Sequence, residues 1–524
     1  MSPFQNPGRS AVYGDTHMAA TSHPASSAVA YSILESGGNA VDAAIAASAV
    51  LCVAEPHMTG IGGDCFVLYA PAGGGVVALN GSGRAPAALD AAKLRDQGLC
   101  EIAANSAEAV TVPGAVDAWC RLHADYGSMP LEQLFAPAIG LAENGCIIAP
   151  RVAYDWQTHW QKLDASASAR AAFLNQGKPF KEGDRFSNPA LARTLRHIAA
   201  QGRKAFYEGA VAEDIVGFLK GIGGVHSLDD FANHASQYVE PISTTYKAHE
   251  VFECPPNGQG IIALLILNIL EQFNETYSET DHVHLLAEAT KRAYALRDCF
   301  LADANAVDVP VDMLLSKDTA RKIASEINME RAQAYQPISE VAHKDTVYLC
   351  VVDKDGNAIS FINSLFAAFG STLFDANSGV LFHSRGTGFS LTEGHFNELA
   401  PNKRPLHTII PGMVMKDGKA VAPFGVMGGQ YQATGHANFL SRVLDRGMPL
   451  QEALDQPRSF AYGDPLVLET GYDEVIAQEL RGRGHKVECS PGPLGGGQVV
   501  WIDRQRGILI GASDPRKDGF AIGH

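Results

Sequence analysis

Residues 344–364, KDTVYLCVVDKDGNAISFINS, constrain the fold more tightly than any other stretch of this 524-residue chain. Two runs rich in β-branched and aromatic residues flank Asp353-Lys354-Asp355-Gly356-Asn357, where Gly356 and Asn357 tolerate positive φ, so the segment reads as a β-hairpin. If the hairpin folds symmetrically about Asp355, Thr346 lies opposite Ser364 at its open end. A register slipped by one residue is the alternative. On the hairpin alone, a Thr–Ser pair across two strands is an ordinary cross-strand hydrogen bond.

Charge excludes some partners. With 41 Lys and Arg against 57 Asp and Glu the formal net charge is −16, an acidic surface that repels nucleic acid and anionic membranes, so neither is expected as a partner. The first ten residues contain no apolar core of a signal peptide, and the longest apolar run, 43–54, is too short and Ala-rich to span a bilayer. A cytoplasmic location is the expectation. The nine cysteines are odd in number and lack a CxxC, which argues against a disulfide framework and reads as buried small hydrophobes, most clearly at Cys65, Cys350 and Cys489. A Cys-nucleophile hydrolase stays open on that arithmetic, although no cysteine has a His in a recognisable frame.

Along the chain, residues 26–36 read as a helix ended by Gly37-Gly38, and Asn39 caps a second, Ala-rich helix over 41–53. A glycine-rich turn at 55–64 leads into a strand at 65–69, with a further strand at 76–79. Gly60-Ile61-Gly62-Gly63 leaves a helix for a strand, the reverse of a dinucleotide loop, and no GxGxxG is present. His57 and Asp64 are read as structural. Residues 109–330 read as mostly helical, including an apolar helix over 261–270 taken as core packing. On the next helix, 283–301, the spacing of His282, Glu288, Lys291, Arg292, Arg297 and Asp298 predicts a solvated, ion-paired face. The polar residues 331–345 read as a flexible segment.

The Asp345-Thr346 bond, the hairpin after it and Gly425-Val426-Met427-Gly428-Gly429 downstream resemble the start of the small subunit in the gamma-glutamyltransferase family of N-terminal-nucleophile hydrolases. Further landmarks, among them Gly60 to Asp64, Pro137-Ala138-Ile139, Phe206 to Gly209 and Gly511 to Arg516, extend the resemblance from about residue 15 to 524. It implies an α+β fold, a four-layer αββα sandwich built by two chains from one self-cleaved precursor: a large subunit, 1–345, and a small subunit, 346–524. It implies that the chain cuts itself at Asp345/Thr346, that Thr346 becomes the nucleophile with its freed α-amine as base, and that Ser364 hydrogen-bonds it. Gly428 and Gly429 would hold the oxyanion on backbone N–H groups. No cofactor and no metal is expected. The two subunits would pair as a heterodimer.

The substrate side departs from members that process glutathione. Where those carry an Asn, a Gln, an Asp and paired serines, this chain has Phe366, Arg385, Gly388 and His407-Thr408, and the Arg that grips the glutamyl carboxylate is replaced by Ser82, with Arg84 two residues on. Losing the Asp leaves a glutamyl α-ammonium unpaired, at a cost on the order of several kcal/mol. The expected substrate is a small carboxylate-bearing amide, bound by Arg385 and Arg84 with His407 and Thr408 beside them, as in the oxamate amidohydrolase and acylase branch. The loop 386–404 would act as a lid. A gamma-glutamyltransferase with a rearranged clamp and an uncleaved, non-catalytic relative are the alternatives.

Overall fold

The computed structural model describes residues 8–273, 277–334, 346–463 and 465–524. Of the segment read as flexible, 331–345, residues 335–345, with Asp345 among them, lie outside the described residues. The hairpin forms with Val347–Val352 antiparallel to Ala358–Ser364, paired from Val347↔Asn363 to Val352↔Ala358. That register is the symmetric one. Gly356 takes φ +85° in the turn, and Asp353 closes it by accepting from the Asn357 N–H at 2.9 Å. The other Asp353 carboxylate oxygen accepts from Ala40 N at 3.0 Å, fastening the turn to the start of the helix Ala40–Ala54.

Two seven-stranded sheets carry the fold. The first places the hairpin centrally, flanked by Met18–Ala20 on one side and Asp64–Ala70, Val77–Gly81 and Gln237–Val239 on the other. The second runs Val12–Gly14, Ile508–Ser513, Gly496–Asp503, Lys419–Met427, Gly412–Lys416, His249–Glu253 and Ile242–Tyr246. Their inner faces pack Val347–Val352 onto Lys419–Met427, and at Gly425 the sheets come so close that a Cβ would overlap the Tyr348 ring. The helix Ala40–Ala54, buried along its whole length, covers the first sheet, while Gly260–Leu270 and Gln432–Leu444 cover the second. Helix, sheet, sheet and helix make four layers, the αββα order that the resemblance implies. No helix among the described residues is long and apolar enough to cross a membrane.

Three readings need correction. The charged face of the helix Glu279–Phe300 is not solvated: Glu288 is fully buried, and Arg297, 2% exposed, donates to Asp298, Gln259, Gln430 and Tyr462. Its i,i+3 and i,i+4 pairs neutralise a buried face rather than decorate a wet one. Cys489 is exposed, because the strand Lys486–Cys489 belongs to a separate three-stranded sheet rather than to either central one; Cys100 and Cys299 are exposed as well. The stretch read as helical also contains the paired strands Ile242–Tyr246 and His249–Glu253.

Candidate active site

Thr346 sits at the open end of the hairpin, 1% exposed, with its Oγ1 3.1 Å from Ser364 Oγ. Ser364 Oγ in turn accepts from the Phe366 N–H at 2.8 Å. On the neighbouring strand, Ser364 is paired in register with Asp64, so sheet pairing alone gathers Thr346, Ser364 and Asp64 at one edge.

The second sheet delivers the glycines. Lys419–Met427 ends in Gly428, at φ +123° with Gly495 Cα 2.8 Å from where a Cβ would stand, so only glycine fits there. Gly429, at φ +56°, begins the short 3-10 turn that runs into Gln432–Leu444. Gln432, buried in the first turn of that helix, turns its Nε2 towards Thr346 Oγ1 at 3.5 Å. The glycine turn is therefore fastened beside the hairpin's open end. Gln259 holds it from behind, donating from Nε2 to Gly429 O at 3.0 Å and to Thr408 O at 2.8 Å. Arg297 fixes that amide by donating to Gln259 Oε1 at 3.2 Å.

Arg385 is fully buried. Its guanidinium lies 3.9 Å over the Phe366 ring, and Nη1 donates to Thr408 Oγ1 at 3.0 Å. Nε and Nη2, which share one edge of the fork, have no hydrogen-bond partner among the described residues. Burial lowers the pKa of this guanidinium and the Asp64 carboxylate partly offsets it. Asp64 itself is fully engaged: Oδ1 accepts from Gly83 N at 3.0 Å and Gly114 N at 3.2 Å, and Oδ2 accepts from His407 Nε2 at 3.0 Å. Burial pushes the Asp64 carboxyl up, but His383, His407 and Arg385 more than reverse this and hold it well below the usual carboxylate range. His407 is lowered to about 3 by burial first and Arg385 second, so it is neutral and donates to Asp64.

Both shifts act in the same direction on stability. A carboxyl held low and an imidazole held low each favour the fold above their unfolded pKa values, about 3.9 and 6.5, and lose that contribution as pH falls through the folded ones. The thermal midpoint should therefore begin to drop below about pH 6.5. His407→Gln, which keeps a donor for Asp64 without a titrating ring, should make the drop shallower. Midpoints measured from pH 8 to 4 test this, and an identical slope in the variant would contradict it.

Arg84 goes elsewhere. The strand that would carry it ends at Gly81, so period-two alternation no longer governs its direction, and Nη1 donates to Asn402 O at 3.0 Å and Asp303 at 3.4 Å. Among the described residues no contact ties it to Thr346. Ser82 is buried, held by Asn80 Oδ1 at 2.7 Å and by Asn257 at 3.2 Å. Loop 386–404 packs Phe389, Leu391 and Leu399 on Ala85 and Leu89, and its Glu398 pairs with Arg95 at 2.7 Å. It lines, with Asp90 and Asp308, a cleft of about 610 Å³, none of whose lining residues belongs to the Thr346 cluster.

The family model described as gamma-glutamyltranspeptidase matches residues 26–524. The chain is 36% identical over 525 residues to the glutathione hydrolase-like YwrD proenzyme of Bacillus subtilis, covering 98% of this chain and 99% of that one. It is 33% identical to the oxamate amidohydrolase proenzyme of Klebsiella pneumoniae, covering 97% and 99%. Among solved structures, the cephalosporin acylase from Bacillus halodurans superposes with a TM-score of 0.94 at 36% identity, covering 100% of this chain and 99% of that one.

Proposed function

The chain belongs to the gamma-glutamyltranspeptidase family of N-terminal-nucleophile hydrolases, and from that premise we propose that it is a self-processing amidohydrolase acting through Thr346 on small amides that carry a carboxylate. Self-cleavage begins when Thr346 Oγ1 attacks the carbonyl carbon of Asp345. The peptide C–N bond breaks, the released nitrogen takes the hydroxyl proton, and water hydrolyses the ester. That leaves chains 1–345 and 346–524 paired in one sandwich, with a free α-amine on Thr346. An α-amine with a pKa near ~8 then accepts the Oγ1 proton at neutral pH as the oxygen attacks a substrate amide. Gly428 and Gly429 N–H groups stabilise the oxyanion, the leaving amine carries the proton away, and water releases the acyl group.

The observation that carries the substrate class is the Arg385 edge: a fully buried cation whose Nε and Nη2 are unpartnered among the described residues is the fork that a carboxylate accepts bidentately. Thr408 and the Phe366 ring fix its plane. The relatives named for oxamate hydrolysis and acylase activity are in keeping with such substrates. A glutamyl α-ammonium would need a carboxylate partner, and Asp64, the acidic group of this cluster, is consumed by Gly83, Gly114 and His407.

Oxamate, glutaryl and adipyl amides should therefore be hydrolysed in preference to a gamma-glutamyl anilide. Parallel assays at one concentration decide it, and preferential turnover of the gamma-glutamyl compound would sink this assignment in favour of a rearranged transferase clamp. Ser364→Ala removes the hydrogen bond to the nucleophile and should slow self-cleavage roughly 10- to 100-fold. Time courses on denaturing gels measure this.

A further inference from the structure

We infer that Gln432 is a further catalytic residue of this site, a fixed carboxamide donor to the nucleophile oxygen; the inference rests on Thr346 being that nucleophile. Gln432 is fully buried. Its Oε1 accepts from the Ile410 N–H at 3.1 Å, which fixes the orientation of the amide and leaves Nε2 towards Thr346 Oγ1 at 3.5 Å. A buried amide is costly to retain in a sandwich core unless both ends are used, and here one end is fastened to the segment after His407-Thr408 while the other meets the reacting atom.

The consequence follows from which groups donate. The Phe366 N–H donates to Ser364 Oγ at one end of the hydroxyl pair, and Gln432 Nε2 donates to Thr346 Oγ1 at the other. Each hydroxyl thus accepts from a fixed N–H donor, and the proton that the α-amine takes in the step is that of Thr346 Oγ1. Gln432 neither gains nor loses a proton in the step; as Oγ1 loses its own, the Nε2–H bond strengthens on the developing charge, an interaction worth more in the transition state than before it. Because Gln432 lies on the element that begins with the glycine turn, the same rigid piece presents the oxyanion donors and the donor to the nucleophile.

The test compares Gln432→Met, Gln432→Glu and Thr346→Ala in the full chain. Self-cleavage followed by intact mass needs no substrate, and glutaryl 4-nitroanilide serves as the turnover probe. Gln432→Met should slow cleavage and lower kcat by about 10- to 100-fold with KM changed less than about twofold, as expected for a transition-state donor. In mature Gln432→Glu, a carboxylate beside the α-ammonium should hold its proton and move the acid limb of the kcat profile to higher pH. A merely structural role would lower the thermal midpoint and leave that limb in place. Wild-type cleavage and kcat in Gln432→Met, or an unmoved limb in Gln432→Glu, overturns the inference. Should Gln432→Met fail to fold, the pH limb of Gln432→Glu decides alone. Cleavage at position 346 persisting in Thr346→Ala would instead overturn the reading of the nucleophile, so the two failures are distinct.

Discussion

Thr346→Ala is expected to yield one full-length chain that neither cuts itself nor turns over any amide. In the proposed mechanism the substitution removes the atom that attacks Asp345 and, with it, the only route to a free α-amine at position 346, so both activities fall together. Loss of a catalytic nucleophile costs roughly 10⁶-fold in comparable hydrolases, which places residual activity below detection. Thr346→Ser keeps the hydroxyl and should still cleave, more slowly, since the methyl that restricts the Thr rotamer is gone. The fold should survive either change: Ser364 keeps its Phe366 N–H and the strand pairing from Val347 onward is untouched. A Thr346→Ala precursor with a thermal midpoint within ~5 °C of an uncut wild-type chain shows that chemistry, not folding, was lost.

The second large effect belongs to Arg385. Arg385→Met should lower kcat/KM for carboxylated amides by roughly 10²- to 10³-fold, the worth of a desolvated bidentate ion pair, while leaving self-cleavage near its normal rate. In the proposed mechanism cleavage is intramolecular and needs no carboxylate in that fork. The same variant should be more stable by about 1–4 kcal/mol, because an apolar side chain of similar length replaces a buried cation whose Nε and Nη2 lack partners among the described residues. Greater stability with a lost substrate is the signature of a binding group rather than a structural one. Arg385→Lys should not rescue turnover, since an ammonium cannot reproduce the Nε/Nη2 fork or the stacking on Phe366. Kinetics on a carboxylated and an uncharged anilide, with melting curves of both variants, measure these effects. Equal loss on the two anilides would contradict the assignment.

What the sequence revealed and what it hid follow from the range of the interactions. The Thr346–Ser364 register was legible because a two-residue period and one turn fix it locally, and the paired strands meet as the symmetry about Asp355 requires. The Asn39 cap was legible for the same reason, accepting from Val41 and Asp42 N–H groups at 3.0 Å. The hairpin Ile242–Tyr246 and His249–Glu253 was not, because its turn uses Lys247 and Ala248 at φ +46° and +60°, residues that announce no such conformation. The helix Glu279–Phe300 misled for a subtler reason: i,i+4 charge pairs look alike whether water or Gln259, Gln430 and Tyr462 lie opposite, and those partners come from three distant segments. Gln432 and Gln259 carried no local signal at all. Their significance lies in what faces them, Thr346 and Gly429, and only the packing of one sheet on the other brings those together.

The proposed activity depends on Thr346 becoming an N-terminal residue. Intact-mass spectrometry of freshly purified protein, incubated at neutral pH, reads this directly. The account predicts two species whose masses sum to that of the chain plus one water and whose junction falls between Asp345 and Thr346. A single full-length species persisting over days, or a cut at any other bond, would contradict it.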